Sequence, residues 1–458
     1  MGEADGAKDR ILQKKIARLE EELASASSEN DALRKRLSAK RYRLMDKLAD
    51  SVYGVPKMLG LKKDSDPVVE LEKAKHLRKL VPKQVQVVER KVDIININFY
   101  DQKGGVVYKG GAERYVYDLA CLLKELHYHV RILQCSDIPF EKEYRGIKVI
   151  GIGNGAIKDV WAISSLYNDF CADCEFVIAS PLILAARIVD VPVIGINHGV
   201  DFDTEWNIYR RGQPMPSREE YLEALKNVDV CVCVDTNFIN WTRTVDYNLS
   251  LKEKFVPNYY NKKQFGSIRK KEQQPNEKIV FAFPRRINAA RGHDLVIAAV
   301  RKVVEEYKDR VVLNFVGQID SETAGEELAE FMKEFPSNVF YYSYEMEDMA
   351  EAYERADVIL IPSKYCEGTS LSCIEAMAFE KPIIATNVGG LSNLIIDHFN
   401  GLLIPPTAED LERAVLDMIE NGDLRIKLAK NAKMVANSTL EKKNWESRWE
   451  QIIASMKD

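Results

Sequence analysis

One stretch, from Asp357 to Pro405, limits what this chain can fold into more than any other. It holds two short, apolar, β-rich runs, Val358–Pro362 and Pro382–Thr386. Between them lie Glu367-Gly-Thr-Ser-Leu-Ser-Cys-Ile-Glu375 and then a helix-prone Ala376–Phe379. The order strand, glycine turn, helix, strand, glycine turn predicts one repeat of a parallel α/β sheet. Ligands of such sheets gather at the carboxyl ends of the strands, where Glu367 and Gly389-Gly390 are expected. Two carboxylates taken alone have a simpler account, one capping a helix and the other a solvated charge.

At 458 residues the chain is long enough for two or three domains. A net charge of −5 gives no footprint for nucleic acid. No run of about twenty apolar residues is present, so no transmembrane helix is expected. The polar N-terminus lacks a signal-peptide core. The eight cysteines follow no regular framework and read as buried free thiols of a reducing compartment. The expected location is cytoplasmic, with peripheral contact at the inner membrane face as a further option.

Residues 1–50 are expected to form a coiled coil. Leu12, Ile16, Leu19, Leu23, Ala26, Asn30, Leu33 and Leu37 make a heptad seam with Asn30 at a core position. That predicts a homodimer or a docked partner; one long helix lying on the protein body is the alternative. The basic cluster Arg34–Arg43 is placed to touch an anionic membrane, although such charge is usually just solvated. Residues 51–90 read as a helical linker that ends near Val81-Pro82.

An α/β pattern starts at Val92–Phe99. A loop follows, and Gly110-Gly111-Ala112-Glu113-Arg114 opens a helix through Leu126. Paired glycines at a helix start let backbone N–H groups approach an anion. Further strands are expected at 130–134, 149–152, 176–179, 193–197 and 228–234. His198 follows one of them and is expected to face a cleft rather than the core. A polar stretch from Gly266 to Lys278 reads as a hinge. A second α/β unit begins at Ile279–Phe283, followed by Arg285, Arg286, Arg291 and Gly292. Cations at a strand's carboxyl end suit a diphosphate. Trp445 and Trp449, at helical spacing near the C-terminus, are expected to be packing anchors.

Glu367 and Glu375, then Ala-Met-Ala, then a glycine turn resemble the signature of the retaining glycosyltransferases of family 4, with the GT-B fold. Gly110–Arg114, His198, Val256-Pro257-Asn258 and the arginine run match the same family in order. Three positions depart from it: Tyr259 and Arg285 replace glycines, and Arg291 replaces a lysine. The resemblance implies two Rossmann-like domains facing across a cleft, with the coiled coil in front. The expected boundaries are 91–265 for the acceptor domain, 266–438 for the nucleotide-sugar domain and 439–458 for a helix crossing back.

By the same resemblance, Glu375 binds ribose hydroxyls, Glu367 binds sugar hydroxyls, and His198 hydrogen-bonds the transferred sugar. Arg286 and Arg291 hold the diphosphate. Backbone groups of Gly110, Gly111, Gly368, Thr369, Ser370, Leu371, Gly389 and Gly390 complete the donor site. No cofactor and no metal are expected, since the cations take a metal's place; Asp201-Phe-Asp203 has metal-like spacing but lies in the wrong half. The implied reaction moves a sugar from a nucleotide-diphosphate sugar to a glycan or lipid-linked acceptor, with retained configuration. An inactive transferase-like scaffold and a sugar phosphorylase on the same fold remain open alternatives.

Overall fold

Most of the strands are short runs of Val, Ile, Leu and Phe with no polar alternation. Such runs suit strands covered on both faces, which is the condition of a parallel sheet packed between helices. In the computed structural model they assemble into two sheets. The residues described are 88–456, apart from 109, 156, 158, 190, 200–201, 203–215, 266–277 and 346–347. The expected coiled coil, most of the expected linker, Asp201, Asp203 and most of the expected hinge lie outside the described residues.

The first sheet contains β1 (Lys91–Asn96), β2 (His129–Gln134), β3 (Pro139–Tyr144), β4 (Ile147–Ile152), β5 (Phe176–Ser180), β6 (Val193–Asn197), β7 (Val230–Cys233) and β8 (Glu253–Phe255). Their order is β3-β4-β2-β1-β5-β6-β7-β8. Only β3 runs antiparallel to its neighbour, and it forms an edge. Its sequence, PFEKEY, is mostly exposed. Polar edge strands of this kind carry little apolar signal, which explains why the sequence pattern did not announce it.

The second sheet contains β9 (Ile279–Pro284), β10 (Val311–Val316), β11 (Val339–Tyr342), β12 (Val358–Ile361), β13 (Ile383–Thr386) and β14 (Leu402–Ile404), in the order β11-β10-β9-β12-β13-β14. The chain leaves β9 toward β10 and β11, then returns to the other side of β9 with β12. The loops after β9 and β12 therefore diverge and leave a crevice at their carboxyl ends.

Three helices position the site. Helix α1 (Gly111–Glu125) follows β1. Helix α2 (Leu371–Ala378) follows β12 and starts five residues before the expected Ala376, because the Ser370 side chain caps the Cys373 N–H. Helix α3 (Lys442–Ser455) ends the chain's described part.

The chain passes between the sheets near Tyr260 and again near Glu441, and the two passages pair side by side. Tyr260 donates its N–H to Leu440 and accepts from Lys442, at 2.9 and 3.0 Å. Helix α3 then packs on the first lobe through Trp445, Trp449, Ile452 and Ile453. Trp449 is fully buried and donates its indole N–H to the Tyr115 hydroxyl, 2.8 Å. Both tryptophans are thus packing elements of the lobe-one core.

Candidate functional site

The crevice between β9 and β12 holds the most strongly organised charges. Arg285 follows β9 directly, Ser363 follows β12, and Glu367 lies four residues further on. Three donors converge on Glu367 Oε2. They are the Arg285 guanidinium, Arg291 Nη1 at 2.6 Å and the Ser363 hydroxyl at 2.7 Å. Arg285 also donates to the Ser363 oxygen, 2.6 Å. Burial by itself would raise the pKa of Glu367. The charges of Arg285 and Arg291, with hydrogen bonds from Arg285 and Ser363, outweigh it and bring the carboxyl down to about 2. None of these three donors reaches Oε1, so that oxygen is left to accept hydroxyls from a ligand.

The resemblance puts Arg286 at the donor diphosphate and gives Arg285 the position of a glycine. The guanidinium that pairs with Glu367 is that of Arg285. Arg286 is half-exposed, with Asp320 at 3.5 Å, and its charge reaches Glu113 of the first lobe. Arg286 still faces the cleft, but it does not join the Glu367 cluster. The physical reason is strand phase: neighbouring residues leaving β9 point to opposite sides.

Glu375 lies in the second turn of α2. Its Oε2 accepts from the Tyr353 hydroxyl, 2.8 Å, and its Oε1 from Arg114 Nη1, 2.6 Å. Tyr353 belongs to the same lobe, whereas Arg114 comes from the first turn of α1 across the cleft. Next to it, the Glu113 carboxyl folds onto the start of its own helix. A Cβ added at Gly110 would stand 2.2 Å from that carboxylate. Burial raises the Glu113 pKa, and the α1 N–H groups and Arg286 pull it partly back. At the anion site expected at Gly110-Gly111, the chain's own Glu113 carboxylate lies beside Gly110.

The loop carrying Glu367 is clamped to the first lobe. Asn258 donates its N–H to the Thr369 hydroxyl and its amide to the Thr369 carbonyl, at 2.9 and 2.6 Å. The Thr369 hydroxyl in turn donates to the Val234 carbonyl, 2.7 Å. Asn393 and Thr236 exchange two further hydrogen bonds, 3.0 and 2.8 Å. Thr369, expected to bind donor, thus has its hydroxyl and carbonyl engaged in holding the lobes together.

The Gly389-Gly390 turn has a similar fate. Gly389 has φ +54°, and a Cβ there would stand 2.1 Å from the Glu367 carbonyl. Gly390 donates its N–H to that carbonyl, 2.7 Å, and Leu391 donates to Val388. These glycines allow close backbone approach; of the two, Gly390 has its N–H occupied by the Glu367 carbonyl. The start of α2 at Ser370-Leu371 fits the expectation better, because first-turn N–H groups of a helix point outward and favour an anion.

His198 sits beyond β6 on the cleft side. Its Nε2 lies 2.9 Å from the Ser180 hydroxyl, and its ring meets Tyr115 edge-on. Burial lowers its pKa to about 4, so it is neutral at physiological pH. Its carbonyl abuts Gly368, where an added Cβ would stand 2.6 Å away. The structure therefore brings His198, Glu367, Gly368, Ser370, Leu371, Glu375 and Arg291 to one interlobe region. Sequence reasoning gave no site role to Arg114, Tyr353 or Ser363. Arg114 was visible beside the paired glycines, but neither Tyr353 nor Ser363 had a local signal. Among the described residues, no group of three or more His, Cys, Asp or Glu side chains is placed to hold a metal ion.

Two Rossmann-like lobes with a charged crevice at the switch point of the second define the GT-B class of fold. Residues 264–435, within the second lobe, match the family model described as glycosyl transferases group 1. It is similar to an uncharacterized glycosyltransferase, MJ1178, of Methanocaldococcus jannaschii, with 25% identity over 74% of this chain and 92% of that one. A D-inositol 3-phosphate glycosyltransferase of Kribbella flavida is 33% identical over 28% of this chain and 32% of its own length. Among solved structures, sucrose-phosphate synthase from Thermosynechococcus elongatus superposes with a TM-score of 0.65 at 18% identity, covering 80% of this chain and 99% of that one. Anabaena HepE in complex with UDP and glucose gives 0.61 at 15% identity, covering 80% and 100%.

Proposed function

We propose that this chain is a retaining glycosyltransferase that moves a sugar from a nucleoside-diphosphate sugar to a glycan or glycolipid acceptor in cell-surface polysaccharide synthesis. The observation that carries this reading is the arrangement around Glu367. The carboxylate is ionised and fixed through Oε2, while Oε1 receives none of the three donors. An acceptor-only oxygen at the mouth of a cationic crevice suits sugar hydroxyls, and the nearby guanidinium groups suit a diphosphate. HepE, a neighbour in fold, is described in complex with UDP-glucose.

Departure of the diphosphate develops negative charge. Arg291, Arg286 and the N-terminus of α2 are available to stabilise it without reorganisation. Glu367 is committed to two arginines, which supports a binding role rather than nucleophilic attack. Retention would then come from a front-face route in which the leaving phosphate takes the acceptor's proton. His198, neutral and held by Ser180, would orient the transferred sugar.

A thermal-shift screen against sugar nucleotides tests the reading, because a ligand bound only by the native state raises the melting temperature. One or more should raise it, and Glu375→Ala and Arg291→Ala should each abolish the shift. Unchanged shifts in both variants would remove the donor-site assignment. Turnover that depends on inorganic phosphate would favour a phosphorylase instead.

A further inference from the structure

Glu375 is held from two lobes at once, and the donor-site reading above does not explain why. Tyr353, from its own lobe, takes one oxygen; Arg114, from the other, takes the second. We infer that Arg114 is a positioning residue for the donor's ribose: it reaches across the cleft to set the Glu375 carboxylate, so that the diol site is complete only when the lobes are closed. This rests on the reading that Glu375 accepts ribose hydroxyls.

The geometry fits that role. An ionised carboxylate offers about four acceptor directions. One donor on each oxygen therefore leaves one direction free on each, a pattern that matches two adjacent hydroxyls. The side chains of Arg114 and Glu375 are 12% and 7% exposed, so the pair is desolvated but Glu375 is not sealed. Without a partner, a carboxylate this buried would have its remaining lone pairs poorly placed and its charge uncompensated.

Arg114 is itself tied to the closed arrangement. Its guanidinium lies over the Phe265 ring, 5.6 Å from the centroid. One helical turn along α1, Asp118 accepts from the Tyr259 hydroxyl and from Lys442 Nζ, the latter at 2.8 Å. Tyr259 and Lys442 lie at the two places where the chain passes between the lobes. At Gly111 the α1 start meets the Leu371 side chain of α2, where an added Cβ would stand 3.1 Å away. Moving the lobes apart would therefore withdraw Arg114 from Glu375. By contrast, the Glu367 cluster lies wholly within lobe two and would survive opening.

A purely structural role would make the pair an interlobe fastener with no link to ribose. The two roles separate in a comparison of nucleotides with and without the diol. UDP, GDP and ADP, with their 2′,3′-dideoxy counterparts, are titrated calorimetrically into the full chain and into Arg114→Lys, Arg114→Met and Tyr353→Phe. The wild type should prefer the ribose form. Arg114→Met should lose about tenfold or more of its affinity for that form and change by less than about twofold for the dideoxy form. Arg114→Lys should fall between, since it keeps the charge but not the planar fork. Tyr353→Phe leaves the interlobe pair intact and should show the same diol-selective loss, so the test survives if Arg114→Met does not fold. Equal weakening of both nucleotide forms, or no weakening, would overturn the inference while leaving the donor reading intact. A wild type that binds none of the nucleotides would refute the donor reading itself.

Discussion

Glu367 and Glu375 are eight positions apart in the sequence but are held in opposite ways. Glu367 receives three donors, all from lobe two. Glu375 receives one donor from lobe two and one from lobe one. The first carboxylate is organised before any ligand arrives and whatever the lobes do. The second depends on closure. On the proposed reading, the contrast would separate recognition of the sugar from recognition of the nucleoside within one short segment.

The sharpest way to break this contrast is Glu367→Ala. It leaves Arg285 and Arg291 facing each other in a buried site and should destabilise the protein by about 3–5 kcal/mol, read as a lower denaturant midpoint. Glu375→Ala should lose less, because Arg114 can turn toward Asp118 on its own helix. Equal losses in the two variants would erase the distinction.

Acid offers the next largest effect. Glu367 has a folded pKa of about 2 against an ordinary 4.5, so its contribution is fully present above pH 4.5 and is lost as pH falls toward 2. That contribution is about 3 kcal/mol, and Glu367→Gln should flatten this limb of the stability profile. His198, lowered to about 4 from 6.5, adds a loss of the same sign that begins below pH 6.5.

Arg285→Gly tests the residue that stands where the resembling family has glycine. It removes one of three donors from Glu367 and should cost about 2 kcal/mol in stability, with weakened donor binding in the thermal-shift screen. Unaltered binding would show that Arg291 and Ser363 suffice. The smallest effect expected is that of Asn393→Ala, which deletes the paired hydrogen bonds to Thr236. It should cost about 1 kcal/mol and lower affinity for ribose-bearing nucleotides more than for dideoxy ones, if closure serves Glu375.

Much of the fold was legible because buried parallel strands write themselves as unbroken apolar runs. Val193–Asn197 and Ile279–Pro284 fall where the pattern puts them. The edge strands β3 and β8 were missed, since partial exposure removes the apolar run. At the site, Glu367, Glu375, Arg291 and His198 were visible as residues, but their partners were not. Arg285 rather than Arg286 meets Glu367 because side-chain direction changes with a single residue, and the letters R-R carry no direction. Gly389-Gly390 and Thr369 were expected to touch the donor, and the structure shows them serving backbone approach and lobe closure as well. Turn glycines and small hydroxyls look alike in sequence whether the neighbour is a ligand or another loop.

The sequence by itself determined the two α/β lobes, the order of their elements and the acids and bases set at strand ends, because burial periodicity and turn chemistry are local properties. Only the tertiary structure decided which charge meets which. Arg114 and Glu375 are 261 residues apart and pair because two lobes close, and contact across such a distance follows from packing and desolvation that no short window of residues contains.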